Sequence, residues 1–254
     1  MSKNADKCLV VNFCTGERTT ELSDLCFEKL GFEHRTRITG DSAFHEKFIE
    51  FAKVAVDSEF DFFIRNDADR LVFSGIHEVL DMAVDKNLSW TTGVFFDYVM
   101  NLFRGGTPSV IKRECLEHLL KNQHLMQDVQ KPEAAFSIAI ENKFSVVDVK
   151  IFTNLHEFEQ YPSKVCNAFL NRLARNHYPR LYDDNYLRSL PVHYQKAIAL
   201  AFEIFAKQGN KNSMKFQDFS FLDEGFEPLS NENLEGLYDT YHELYQRLSL
   251  QYQK

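Results

Sequence analysis

Apolar and polar positions along the chain fall into two rhythms that alternate through its first half. Cys8 to Phe13 is a short apolar run rich in β-branched residues, which predicts a buried strand. A tight polar loop, Cys14 to Arg18, follows it. Leu22, Leu25, Cys26 and Leu30 then share one helical face from about Thr19 or Thr20, and Gly31 is a natural stop. Phe32 to Ile38 predicts a second strand, closed by Thr39-Gly40-Asp41-Ser42. Phe44, Phe48, Phe51, Ala52 and Ala55 mark an amphipathic helix. Phe60 to Ile64 is a third strand running into Arg65-Asn66-Asp67-Ala68-Asp69, with a helix from Ser74 to Lys86 behind it. This β-α-β-α-β-α order, with short connections, predicts a sheet of parallel strands covered on both faces.

Beyond it the pattern predicts a strand, Gly93 and a strand within Leu88 to Met100, and a turn at Arg104-Gly105-Gly106-Thr107-Pro108. A short strand from Val110, a helix over Glu114 to Lys121, a helix over Ala134 to Asn142 and a strand over Phe144 to Ile151 come next. From about residue 165 the character changes. Val165 to Arg175, Pro191 to Lys207 and Glu232 to Tyr252 read as helices, without a Gly/Ser or Pro-rich linker before them. The expected division is therefore a sheet domain over 1–164 and a helical lobe over 165–254 packed on it.

The 254 residues, 44% hydrophobic with 24 Phe, suffice for such a core. The five cysteines, Cys8, Cys14, Cys26, Cys115 and Cys166, lack a C-x-x-C pair, as expected of reduced thiols. A net charge of −8 argues against nucleic acid as a partner. No run approaches the roughly 20 apolar residues of a membrane span. The polar start, Met1 to Lys7, leads straight into a strand, so a cytoplasmic protein is expected.

Ligands of such sheets bind beyond the strands' carboxyl ends, where both polar loops fall. Asp67 and Asp69 are two apart, so extended backbone points both carboxylates to one side, toward one cation. Hard divalent ions accept such oxygens and bridge to diphosphate. The competing reading is a solvated acidic turn that caps the following helix.

The segment Phe62-Phe63-Ile64-Arg65-Asn66-Asp67-Ala68-Asp69 before a helix resembles the D-x-D segment of GT-A glycosyltransferases. Val10-Val11-Asn12-Phe13-Cys14-Thr15-Gly16-Glu17-Arg18 is similar to their first strand and nucleotide loop. The resemblance spans about residues 8–160. It implies an α/β GT-A fold, a Rossmann-like mixed sheet flanked by helices, here with a C-terminal helical extension. It also implies a metal-dependent glycosyltransferase using Mn²⁺ or Mg²⁺.

By the same resemblance Thr15, Gly16, Glu17, Arg18 and Asp67 hold the nucleotide, and Asp41 reaches the base, although the usual second acidic residue there is missing. His156, after the late strand, completes a metal shell with Asp67 and Asp69; a structural histidine is the alternative. Asp128 or Glu133 supplies the base that activates an acceptor hydroxyl, and Asp97 reaches sugar or acceptor. Glu133 also suits a helix start on electrostatic grounds alone.

The implied partners are a nucleotide-diphosphate sugar, a UDP-sugar first, and a glycan or glycolipid acceptor. Arg172, Arg175, His177, Arg180 and Arg188 suggest peripheral contact with an anionic membrane surface, or solvated arginines on packed helices. Tyr238, Tyr241, Tyr245 and Leu248 form a face for packing or for a homodimer. Two other functions stay open: nucleotidyl transfer on a related sheet, and binding without catalysis.

Overall fold

A computed structural model describes residues 2–40, 42–126, 136, 138, 140–141, 143–174, 184–208, 218–227 and 229–253. Three strands, β1 (Cys8–Phe13), β2 (Arg35–Ile38) and β3 (Phe62–Asp67), lie parallel with β1 in the middle. Every residue of β1 is buried, which explains its unbroken apolar sequence. Its side chains alternate: Leu9, Val11 and Phe13 enter the core on one face, Cys8 and Val10 the other. The helices α2 (Phe44–Asp57) and α4 (Arg113–Lys121) cover the first face. There Phe48 stacks on Trp90 at 5.8 Å, and Phe51 packs edge-on against Phe13 and Phe63. The helices α1 (Thr20–Lys29) and α3 (Gly75–Asp85) cover the second.

The remaining strands make the sheet mixed. Its order is β2-β1-β3-β6-β5-β7-β4, with β4 (Arg70–Val72), β5 (Trp90–Asp97), β6 (Leu102–Lys112) and β7 (Val146–His156). Strand β6 runs antiparallel to β3 and β5, β7 is parallel to β5, and β4 is antiparallel to β7. The chain thus has the expected α/β mixed sheet flanked by helices.

Three local expectations are corrected. Residues 104–108 are not a turn but part of β6, because Gly105 and Gly106 lie across from Val94 and Gly93 where the β5–β6 register shifts. A Cβ on Gly106 would meet the Phe95 ring at 3.1 Å. The reversal falls instead at 98–101, where Met100 N–H donates to Asp97 Oδ1 at 3.0 Å and Asn101 adopts φ 51°. Strand β3 continues through Asp67, and β7 continues through His156, so both residues end strands. The three-residue β4 was not foreseen. The helix expected over 134–142 falls mostly outside the described residues, although Phe136 and Ile140 are buried in the first core face.

The C-terminal helices α5 (Pro162–Ala174), α6 (Asp184–Ser189) and α7 (Val192–Gln208) bury Phe169, Leu173, Tyr194 and Ala201 together with Val99. Helix α8 (Leu234–Tyr252) lies on α1 and β7, burying Tyr241, Tyr245 and Leu248 against Leu22, Cys26 and Phe152. The aromatic face read from the sequence is therefore consumed within the chain. Tyr245 makes this contact specific. Its hydroxyl donates to Phe152 O at 2.7 Å and accepts from Gly75 N–H at 3.2 Å. No described helix is long and apolar enough to cross a membrane.

The start of α3 touches β7 so closely that a Cβ on Gly75 would lie 1.9 Å from Phe152 O. Backbone on both sides cannot yield as a side chain would. Gly75→Ala should lower stability by roughly 2–4 kcal/mol. Urea unfolding checks this, and a loss below about 0.5 kcal/mol would mean that α3 and β7 part freely.

Candidate active site

Sheet register gathers polar residues at one edge. Phe13 and Asp67, the last residues of β1 and β3, are partners across the parallel ladder. On the other side of the sheet Arg70 pairs with His156, and Asp97 pairs with His156 across β5 and β7. The turn between β3 and β4 is fixed by backbone. Ala68 N–H donates to Phe13 O at 3.0 Å, and Glu157 N–H to Asp69 O at 3.2 Å. Thr19 Oγ1 donates to Ala68 O at 2.6 Å and receives Gln160 Nε2 at 2.7 Å, which locks the 14–19 loop onto this turn.

A chain of ion pairs runs through the edge. His156 Nε2 stands 3.3 Å from Asp69 Oδ2, and its Nδ1 stands 3.6 Å from Asp97 Oδ2. Asp97 is fully buried and pairs with Arg104 at 3.3 Å and Arg172 at 3.2 Å; Arg172 reaches Glu157 at 2.7 Å. Burial and the nearby Arg70 oppose a charge on His156, but Asp69 and Glu157 outweigh them and raise its pKa to about 9. Burial likewise opposes the Asp69 carboxylate, yet His156, with Arg70 and Arg65 behind it, lowers its pKa to about 2. Against burial, Arg172, His156 and Arg104 hold the Asp97 carboxyl well below the usual range. For Glu157 burial prevails over Arg172, and its pKa is raised.

Asp67 belongs to a different group. Arg65 donates to its Oδ1, and Arg70 Nε lies 3.5 Å from Oδ2 and 4.0 Å from Asp69 Oδ1. Arg65 is buried between the Phe13 and Phe44 rings, 4.9 Å from each centroid, and donates to Thr107 Oγ1 at 2.6 Å. Arg70 lies 4.2 Å over Phe95. Arg70 thus separates the two aspartates that alternation was expected to aim at one cation. Asp67, Asp69 and His156 are not drawn to one point. Asp67 is held by arginines, and only Asp69 meets the histidine.

In the first loop Glu17 folds back to accept from Thr15 N–H at 2.5 Å and from the Thr15 hydroxyl. Burial, with the charge of Asp69 adding to it, raises its pKa. Gly16 takes φ 76° between them. Two ammonium groups grip the same loop: Lys47 Nζ donates to Cys14 O at 2.9 Å, and Lys164 Nζ to Thr15 O at 2.6 Å. Arg18, expected at a phosphate, turns away to Glu159 at 2.7 Å and Glu227 O at 2.8 Å. Asp97, expected at sugar or acceptor, has no exposed surface. Asp41, Asp128 and Glu133 lie outside the described residues.

Sequence reading missed Lys47, Arg104, Glu157 and Lys164, and gave Arg172 a different partner. Arg65 and Arg70 flank the acidic pair in the sequence and balance its charge, as that position suggests.

Asp97, His156 and Glu157 have ligand atoms within 4.8 Å of one another, and by distance alone could hold a metal ion. Arg172 Nη2, however, already binds both carboxylates there. The donors that fit a cation better are Asp69 and His156. Cis ligands about 2.1 Å from one octahedral ion stand about 3 Å apart, close to the observed 3.3 Å. Asp69 Oδ1 is also buried without a hydrogen-bond partner.

No protein family matches the sequence, and no curated protein is similar to it. Among solved structures the fold is similar to A197 from STIV, at 10% identity over 57% of this chain and 82% of that one, with a TM-score of 0.46. It is also similar to a glycosyltransferase involved in the glycosylation of the major capsid of PBCV-1 (9%, 59% and 92%, 0.39). A third likeness is to the Francisella tularensis 2-C-methyl-D-erythritol 4-phosphate cytidylyltransferase (11%, 57% and 91%, 0.42).

The His156–Asp69 pair makes stability depend on pH in a defined window. Because the folded pKa of His156, about 9, exceeds the unfolded value near 6.5, its contribution is complete below pH 6.5 and lost as pH rises through 9. His156→Gln should cost about 3 kcal/mol at pH 6, the lower end for a broken buried pair. The difference from the parent should shrink toward pH 10. Thermal unfolding of both proteins at pH 6, 8 and 10 measures this, and a difference that does not change with pH would mean that folding leaves the pKa of His156 unshifted.

Proposed function

We propose that the chain transfers a sugar from a nucleoside-diphosphate sugar, with uridine the first nucleotide to test, to a hydroxyl of a glycan or glycolipid. The observation that supports this best is the meeting of Asp69 and His156 at 3.3 Å, across the β4–β7 pair at the sheet's carboxyl edge. In this reading the two residues hold Mn²⁺ or Mg²⁺, which when bound offsets the charge that builds on a departing diphosphate. Lys47 and Lys164 fix the carbonyls of Cys14 and Thr15, so the 14–18 loop is a rigid wall for the nucleoside. Asp67, partly open to solvent, accepts from a ribose hydroxyl, and Asp41, outside the described residues, is the candidate for the base contact. Arg70, held over the Phe95 ring, sets a positive charge beside the diphosphate. Asp128 or Glu133 takes the acceptor proton. Arg172 is taken up by Asp97 and Glu157, and Arg175, His177 and Arg180 lie outside the described residues, so contact with an anionic acceptor or membrane surface would draw on Arg188 among the described ones.

Nucleotidyl transfer would need a basic first loop to cradle a triphosphate. Arg18, the only basic residue in the 14–18 loop, is instead bound to Glu159. Titration calorimetry with UDP, other nucleoside diphosphates and the matching triphosphates, with and without Mn²⁺, compares the readings. A diphosphate should bind at least about tenfold more tightly with Mn²⁺, a difference of 1.4 kcal/mol. Asp69→Asn should abolish that difference while leaving the fold intact. Equal binding with and without Mn²⁺ would remove the metal bridge, and preference for a triphosphate would favour the cytidylyltransferase-like chemistry.

A further inference from the structure

The carboxylate of Asp97 is the least accessible acid at the sheet edge, with no exposed surface, so it touches neither substrate nor solvent. It nonetheless faces the one imidazole of the site. Asp97 and His156 are partners across the β5–β7 ladder, which fixes both backbones on rigid strands. The Phe95 ring stands edge-on to the imidazole, centroids 5.2 Å apart, and walls it on one side. His156 Nδ1 lies 3.6 Å from Asp97 Oδ2 and makes no hydrogen bond in this arrangement, while Nε2 points to Asp69. Asp97 itself cannot swing away. Its Oδ1 accepts from Met100 N–H, and its Oδ2 from Arg104 and Arg172.

A neutral imidazole carries one N–H, and the stronger acceptor beside it decides which nitrogen keeps the proton. Resting on the reading that Asp69 and His156 hold a divalent cation, we infer that Asp97 is the positioning residue for that site. It keeps the proton of neutral His156 on Nδ1 and aims the Nε2 lone pair at the position shared with Asp69. A small rotation of the ring closes the 3.6 Å gap to a hydrogen bond. A carboxylate behind a ligating histidine fixes its tautomer and raises its basicity, and loss of such a partner lowers metal affinity 10- to 100-fold. The competing account gives Asp97 only the task of neutralising Arg104 and Arg172. That account requires no particular tautomer and no change in metal affinity.

Calorimetric titration of Mn²⁺ alone into the full chain, its Asp97→Asn variant, and Asp69→Asn and His156→Gln as references tests the assignment. Long-range proton–nitrogen spectra of His156 in the unaltered protein saturated with diamagnetic Mg²⁺ accompany it. Asp97→Asn should bind Mn²⁺ about 10- to 100-fold more weakly than the parent, and the loaded parent should carry its imidazole proton on Nδ1. Undiminished Mn²⁺ affinity in folded Asp97→Asn, with affinity lost in both references, overturns the role of Asp97 while leaving the cation site standing. Unchanged affinity in the two references removes the cation site itself, and the inference with it. Should Asp97→Asn fail to fold, the spectra of the parent decide alone, and a proton on Nε2 in the loaded protein overturns the inference.

Discussion

The carboxyl edge of this sheet depends on the pairing of a three-residue strand, Arg70 to Val72, with the end of β7. So short a strand has little stability of its own. It is held because Leu71 and Val72 point to opposite sides of the sheet and both are buried, one in each flanking apolar cluster. The pairing turns the chain back directly after Asp69 and sets Arg70 beside His156. Without it, the acidic turn that follows β3 would be a solvated loop. With it, two segments separated by more than eighty residues meet at ligand distance.

The price of that meeting is a concentration of buried charge. Asp97, Glu157 and His156 are buried and Arg172 is only partly open to solvent, and none of the three buried groups could be charged there alone. Replacing such a network by well-packed apolar residues is often neutral or stabilising, so its presence is weak evidence for a stabilising role. It is better understood as the support of a site. The edge sets four arginines, Arg65, Arg70, Arg104 and Arg172, against four acids, Asp67, Asp69, Asp97 and Glu157, although the whole chain carries a charge of −8. An anionic ligand would meet less repulsion there than the charge of the molecule as a whole implies.

The framework of the fold could be read from the sequence because it rests on periodicity. The full burial of β1, the Phe48–Phe51–Ala55 face of α2 and the three long C-terminal helices all follow from local spacing. What could not be read was set by register. Gly105, Gly106 and Pro108 have the composition of a turn, and only the neighbouring bulge in β5 makes them strand. For the site, Asp69 and His156 were legible by position, each following an apolar strand. Arg172 was not, since nothing in a helical Leu–Asn–Arg–Leu sequence says that its guanidinium reaches two carboxylates on the sheet. The separation of Asp67 from Asp69 by Arg70 was also invisible, because alternation predicts the direction of a side chain but not which neighbour fills the space.

The hydroxyl of Tyr245 has a consequence for how this chain can change length. It supplies the acceptor for the first N–H of α3 and the donor for Phe152 O, so two main-chain groups of the sheet layer are completed by a side chain from the last helix. A nonsense codon before position 245, or a splice that exchanges the tail, would expose more than an apolar patch. It would leave a peptide N–H and a peptide C=O unmet at the junction of α3 and β7, a few residues from His156. Helix α8 is therefore tied to the geometry of the centre by two main-chain groups as well as by its apolar face.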